Sequence, residues 1–318
     1  MLTRLPLSLL SPAGRHGRLS ILIFHRVLPQ VDPLFPGEVD ASRFDTLCAW
    51  LRADFNVLPL DEAVRRLDSG SLPVRAACIT FDDGYADNCT HALPILQRHG
   101  LPAIFYIATG FLDGGRMWND TVIESIRRAP QTSLDLGTLG IEGLGRIELG
   151  SLPARRAAID RILVAIKHKR ADERLALTER LATQAGAPLP DDLMMRSDQV
   201  RQLRAGGMLV GAHTVSHPIL ATLSDDEARH EIAACREHLQ SLLGEPVMHF
   251  AYPNGRPGAD YNDESVRIVR ELGFDSAVST APGAARSPTD RFQLPRFTPW
   301  DRTRGRFNLR MARNLWTT

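Results

Sequence analysis

The sequence predicts an α/β fold built on parallel strands, and three observations lead there. Short apolar runs rich in β-branched and bulky residues recur along the chain. Amphipathic helical patterns separate them, the alternation that parallel pairing requires. The 318 residues are 43% hydrophobic and 24% charged, enough for a large core in one unit, since α/β barrels often run to ~250 residues.

Leu19 to Val27 (LSILIFHRV) reads as the first buried strand. Ser42 opens a helical pattern with Phe44, Leu47, Cys48 and Leu51 on one face, and a second helix, DEAVRRL, follows Leu60. Ala76 to Phe81 is the next strand, Ala86 to His99 a helix stopped by Gly100, and Pro102 to Ala108 a strand. Between Gly110 and Arg196 the rhythm breaks. A Gly/Leu-rich piece (DLGTLGIEGLGRIELG) suits a small hairpin, and helical patterns follow at about Pro153 to Lys169 and Asp172 to Ala185. We read 110–196 as an insertion in a single catalytic domain spanning 1–318, able to form a lid or substrate wall. The rhythm then resumes: helix Ser197 to Ala205, strand Met208 to Ala212, and a long helix Ser224 to Leu243 opened by a capping-box spelling and closed by Gly244. Strand Val247 to Tyr252, helix Asn262 to Leu272 and strand Phe274 to Ser279 complete the pattern, an open sheet or a barrel.

Composition removes several classes. Lys plus Arg is 38 and Asp plus Glu 37, a balance of +1, so the basic footprint of a nucleic-acid binder is missing. No run of ~18 apolar residues offers a spanning helix. Met1 to Leu10 is a short apolar stretch broken by Pro6, too little for a secretory signal before the strand at Leu19. Cys48, Cys78, Cys89 and Cys235 are scattered without a CxxC pair, three in helical patterns and one in a strand, as expected of reduced thiols. A cytoplasmic setting is the expectation, and nothing in the sequence sets an oligomeric state.

The sharpest chemical signal is Thr80-Phe81-Asp82-Asp83-Gly84 at a strand's end. Two adjacent carboxylates in a closed pocket repel unless a metal or a shared proton intervenes, and Gly84 allows a turn that keeps both at the strand's carboxyl end. A solvated Asp-Asp-Gly turn has the same spelling. The second signal, His213-Thr214-Val215-Ser216-His217-Pro218, also follows a strand, and Pro218 favours a loop over a helix through the pair. Each His alone suits a surface or core position. With Asp83 they make a His-His-carboxylate set, the three-ligand shell of a catalytic zinc with one position open.

TFDDG followed by HTVSHP resembles the first two motifs of the polysaccharide deacetylases, the NodB-type domain of carbohydrate esterase family 4. The similarity covers about Leu19 to Ala108 and Met208 to Trp300. It implies a distorted (β/α) barrel, an N-acetylated sugar substrate (poly- or oligosaccharide, or glycan precursor) and a divalent metal, zinc being the best fit among first-row ions. By position it implies Asp82 as general base and Asp83, His213 and His217 as metal ligands, with Tyr85 and Asn88 continuing the GYxDN pattern. The third motif departs from the family: Ala251-Tyr252-Pro253-Asn254-Gly255 keeps Pro and Gly but lacks the Arg. Asn254 is expected to supply a backbone N–H to the oxyanion, a task independent of its side chain. Arg296, in Leu294-Pro295-Arg296-Phe297, is the candidate to replace the missing Arg. No Leu-x-x-His follows Ser279, so the acid for the leaving amine is sought elsewhere. Ile21, Ile23 and His25 share a strand face by the period of two, and Phe24-His25 resembles the Tyr-His motif of circularly permuted members. Trp118 is set down as a sugar-stacking candidate that would equally cap a core; Tyr252 and Trp300 carry the same ambiguity. Two other readings stand beside this one: a relative hydrolysing a different C–N bond, such as a cyclic imide or ureide, and a non-catalytic glycan-binding relative.

Overall fold

A computed structural model describes residues 4–141, 143–299 and 301–317. These run through α1 (Arg4–Leu10), β1 (Leu19–Phe24), α2 (Ala41–Asp54), β2 (Asn56–Val57), α3 (Leu60–Asp68), β3 (Ala76–Phe81), α4 (Leu93–His99) and β4 (Ile104–Ile107). A middle stretch holds α5 (Trp118–Arg128), β5 (Ser133–Asp135), β6 (Arg146–Glu148), α6 (Leu152–Ile166) and α7 (Ala171–Ala185). Then come α8 (Ser197–Ala205), β7 (Leu209–Ala212), α9 (Asp225–Leu243), β8 (His249–Ala251), α10 (Asp263–Glu271), β9 (Ser276–Val278) and α11 (Arg304–Trp316).

The chain divides into two compact units, one of Met1–Gln30, Val39–Leu112 and Met195–Thr318, the other of Val31–Glu38 and Asp113–Met194. One domain with an insertion at 110–196 was expected. The second unit also takes Val31–Glu38, a stretch with no periodicity to mark it. Its attachment is tertiary: the Asp32 carboxylate accepts two bonds from Arg127 on α5, at 2.9 and 2.6 Å, and Leu34 joins that unit's apolar cluster. The Gly/Leu-rich piece does form an antiparallel pair, β5 with β6.

In the first unit every strand pairing is parallel, in the order β1-β3-β4-β7-β8-β9 with β2 on β3. The segment 294–297 joins the two ends of this curl. Leu294 exchanges backbone bonds with Ala277 and Ser279 beside β9, and Phe297 exchanges them with Ile21 and Ile23 of β1, at 2.9–3.1 Å. Alternation then sorts the side chains. Leu19, Ile21, Cys78, Ile104, Tyr106, Ala251, Val278 and Leu294 form one apolar layer on the concave face, plugged by α3. Phe24, Phe81, Phe105, Phe250 and Tyr252 point the other way, into the cluster that the helices bury. There Phe24, Phe81 and Phe105 stack across neighbouring strands, with Phe44 of α2 edge-on to two of them.

The stretch Ala86 to His99 is helical throughout, as expected, with a wide π-type turn at Asn88–Ala92 leading into α4, where Pro94 has no N–H to offer the ladder. The helices α1 and α11 were not foreseen. On α11 the buried face includes Asn308 and Asn314, which dilutes the apolar period. Asn308 serves there with Arg304 in binding the fully buried Asp54 carboxylate, through bonds of 2.7–3.0 Å.

Candidate active site

Strand alternation brings the chemistry to one rim. Along β3, Ala76, Cys78 and Thr80 occupy the concave face, and Asp82, two residues on, continues it just past the strand's carboxyl end. Alternation would send Asp83 to the opposite side. Instead Asp83 takes a left-handed backbone (φ 77°), followed by Gly84 (φ 92°), so the turn begins at Asp83 itself and both carboxylates stay at the mouth. Thr214, His217 and Asn254 share the left-handed region (φ 66°, 53° and 57°). Such strain persists only where the surroundings impose it, and it gathers at functional sites.

Asp82 is buried and faces Arg296 in a two-pronged pair, Nη1 to Oδ1 and Nη2 to Oδ2, each 2.7 Å. The guanidinium is itself held by Ser279 O (2.9 Å) and Thr80 Oγ1 (3.1 Å), with Tyr106 beneath it. Burial alone would raise the Asp82 pKa; Arg296 and, secondarily, His213 outweigh it and hold the carboxyl below its ordinary range. Asp82 is therefore ionised at neutral pH. Its fork comes from the joining segment 294–297 next to β1, whereas the motif Arg would have come from the β8 position held by Ala251.

Asp83, His213 and His217 each offer one ligand atom, all within 4.8 Å of one another. Both Nε2 atoms lie 3.4 Å from Asp83 Oδ1, which is buried and has no hydrogen-bond partner among the described residues. A buried, unsatisfied carboxylate oxygen is costly unless something completes it, and a divalent cation among these three donors would do so. His213 Nδ1 pairs with Ala251 O at 2.7 Å, which fixes the ring and leaves Nε2 to face Asp83. Burial pushes the His217 imidazole down to about 4, so it is neutral, as a ligand must be. Burial acts the same way on His213, but Asp83 and Asp82 outweigh it and hold that imidazole above its usual range. For Asp83 too burial is the largest influence, upward, and the two imidazoles reverse it.

His25 follows β1 in phase with Leu19 and Ile21, and its side chain is exposed. The GYxDN residues brace its segment. Asn88 Nδ2 donates to His25 O (2.9 Å), Asp87 accepts from Val27 N (3.0 Å) and Arg26 Nε (2.8 Å), and Arg26 lies over the Tyr85 ring. Asp87 was missed in the sequence, where only its place inside that pattern hinted at it. Asn254 sits on the turn after β8; its O accepts from Thr280 Oγ1 (2.8 Å), and among the described residues its N–H has no acceptor.

Tyr252 does not belong to the site. It falls on the helix-facing side of β8, fully buried, stacked on Tyr261 at 3.9 Å, with its hydroxyl donating to Phe292 O. Trp118 belongs to the second unit, where it lies partly buried against that unit's apolar cluster with Arg174 over its ring. Trp300 lies outside the described residues.

A curled parallel sheet with paired carboxylates and two imidazoles at its carboxyl rim defines a barrel hydrolase, and the comparisons say which. The polysaccharide deacetylase family profile matches residues 69–133 and 153–277, more than half the chain. The chain belongs to that family and, with it, to the carbohydrate deacetylases. YxkH of Bacillus subtilis (strain 168), which carries a polysaccharide deacetylase assignment, is 21% identical over 282 residues, covering 88% of this chain and 71% of its own. IcaB from Ammonifex degensii superposes with a TM-score of 0.60 at 19% identity, over 95% of this chain and 97% of its own. The Streptococcus pyogenes deacetylase PplD, solved in complex with acetate, gives 0.58 at 20% identity, over 88% and 92%. At these identities the two structures establish the barrel fold, which is the expected one.

Proposed function

We propose that this protein is a metal-dependent N-deacetylase that hydrolyses the acetamide of an N-acetylated sugar in a glycan or glycan precursor. The observation that carries the reading is the orphaned Asp83 Oδ1 facing two imidazole Nε2 atoms, beside a second carboxylate already neutralised by Arg296. Asp83, His213 and His217 would hold the cation, zinc being favoured by the His₂-carboxylate donor set. When bound, such an ion acts as a Lewis acid and makes water nucleophilic near neutral pH.

The chain's own residues do the rest. Asp82, ionised and immobilised, accepts a proton from water as the water oxygen bonds to the acetyl carbon. Both its oxygens are engaged by Arg296, yet a carboxylate has about four acceptor sites, so capacity remains. The Asn254 N–H points a dipole at the developing oxyanion. As the C–N bond breaks, His25 gives its proton to the amine nitrogen, a contribution of ~10² to 10⁴ in rate. Acetate and a free amine leave, and the Asp82 proton returns to solvent or to His25. The four buried, unpaired thiols suit a reducing compartment, so a cytoplasmic setting is part of the proposal and cell fractionation checks it.

The test is acetate release from N-acetylated oligosaccharides by parent, Asp82→Asn and His25→Ala proteins, after chelation and after zinc is restored. Release that stops with chelator, returns with zinc and is lost in Asp82→Asn supports the reading. Full turnover in the chelated protein would sink it, and undiminished His25→Ala turnover would reject His25 as the acid. Glycan binding with zinc bound but no release would point to a non-catalytic relative.

A further inference from the structure

We infer that Glu231, on α9 and outside every motif quoted above, is a positioning residue for the cation: it holds the His213–His217 loop in the shape that brings both imidazoles onto Asp83. The inference rests on the metal reading of the site.

The loop is strained at both ends, Thr214 and His217 being β-branched and bulky residues in left-handed backbone. Left alone, it would relax to ordinary dihedrals and carry His217 away. Between these two residues the Val215 and Ser216 N–H groups both donate to Glu231 Oε2, each at 2.9 Å, while Ser216 Oγ donates to Oε1 at 2.7 Å. Successive N–H groups converging on one anion form a nest, and here the anion is the protein's own. The opposite side is fixed as well: Gly110 N donates to Val215 O (2.9 Å) and Thr109 N to Thr214 O (3.2 Å). Inside the loop, His217 N donates to Thr214 Oγ1 (3.1 Å). The approach at Gly110 is so close that a Cβ there would lie 2.7 Å from Val215 O. Glu231 is a fixed post because α9 is a rigid element, capped by Ser224 and Glu227 and anchored by buried Ala228, Ile232, Cys235 and Leu239. Three donors thus meet one carboxylate whose position is set by core packing, and both imidazole ligands flank those donors.

The experiment measures zinc affinity of the full chain by competition with a chromophoric chelator, with the circular dichroism melt of the metal-free protein beside it. Glu231→Ala is expected to weaken zinc binding about 10- to 100-fold while the metal-free protein stays folded, and Glu231→Gln, which keeps one acceptor oxygen, to fall between. Ser216→Ala, which removes one of three bonds, should lose less than Glu231→Ala. A folded Glu231→Ala protein with parental zinc affinity overturns the inference while leaving the metal reading intact. A parent that binds no zinc overturns both. Should Glu231→Ala not fold, Glu231→Gln decides alone: weaker binding supports the role, parental binding rejects it.

Discussion

Asp82 and Arg296 meet as a fully desolvated pair, both side chains essentially without solvent contact, and that fixes what each substitution does. Taking one charge away leaves the other buried and unpaired, which costs far more than the pair itself contributes. Arg296→Met is therefore expected to destabilise the protein by about 3–5 kcal/mol in denaturant unfolding, and adding Asp82→Leu should recover much of that loss. A double mutant no more stable than Arg296→Met would contradict the pairing. Arg296→Lys keeps the charge but not the planar fork, so it should fold yet turn over more slowly than the parent.

At the level of elements, two joins are open to test. Gly211 on β7 lies opposite Tyr106 on β4, and a Cβ there would come within 2.4 Å of the buried ring and 2.9 Å of His249 O. Neither neighbour has room to yield, so Gly211→Ala should cost about 1–3 kcal/mol or more, read from the denaturant midpoint. In the second unit, Asp32 ties the 31–38 segment to α5. Burial would raise its pKa, but the bonds from Arg127 and the Leu34 N–H lower it overall. A carboxylate whose folded pKa is depressed contributes stability above its unfolded pKa, about 3.9, and loses it as pH falls through the folded value. The parent should melt above Asp32→Asn at neutral pH, and the gap should shrink as pH drops below about 4. A gap independent of pH would show that the carboxylate charge contributes nothing.

For the molecule as a whole, the rim depends on the curl being joined. Asp82 and Arg296 are 214 positions apart in the chain and meet only because 294–297 pairs with both β9 and β1. The cation would add a second linkage, since Asp83 lies at the end of β3 and the two imidazoles follow β7, with β4 between those strands. A ligand that binds only the folded state stabilises it by mass action, about 2.7 kcal/mol at a hundred times its Kd. Zinc at that excess should raise the melting temperature of the parent and leave that of His217→Ala unmoved. Equal shifts in the two proteins would place the ion elsewhere.

The sequence alone determined the strand-helix alternation, the carboxyl-end location of Asp82, Asp83, His213 and His217, and the phase of His25, because period and turn chemistry are local properties. It passed over α11, where the buried face carries Asn side chains that answer a distant carboxylate. Only the tertiary structure decided that Arg296 stands on Asp82, that Tyr252 faces the helices, and that Glu231 braces the imidazole loop. Each of those depends on which remote strand or helix becomes a neighbour, and that choice is made by burial of the whole sheet, not by the residues on either side.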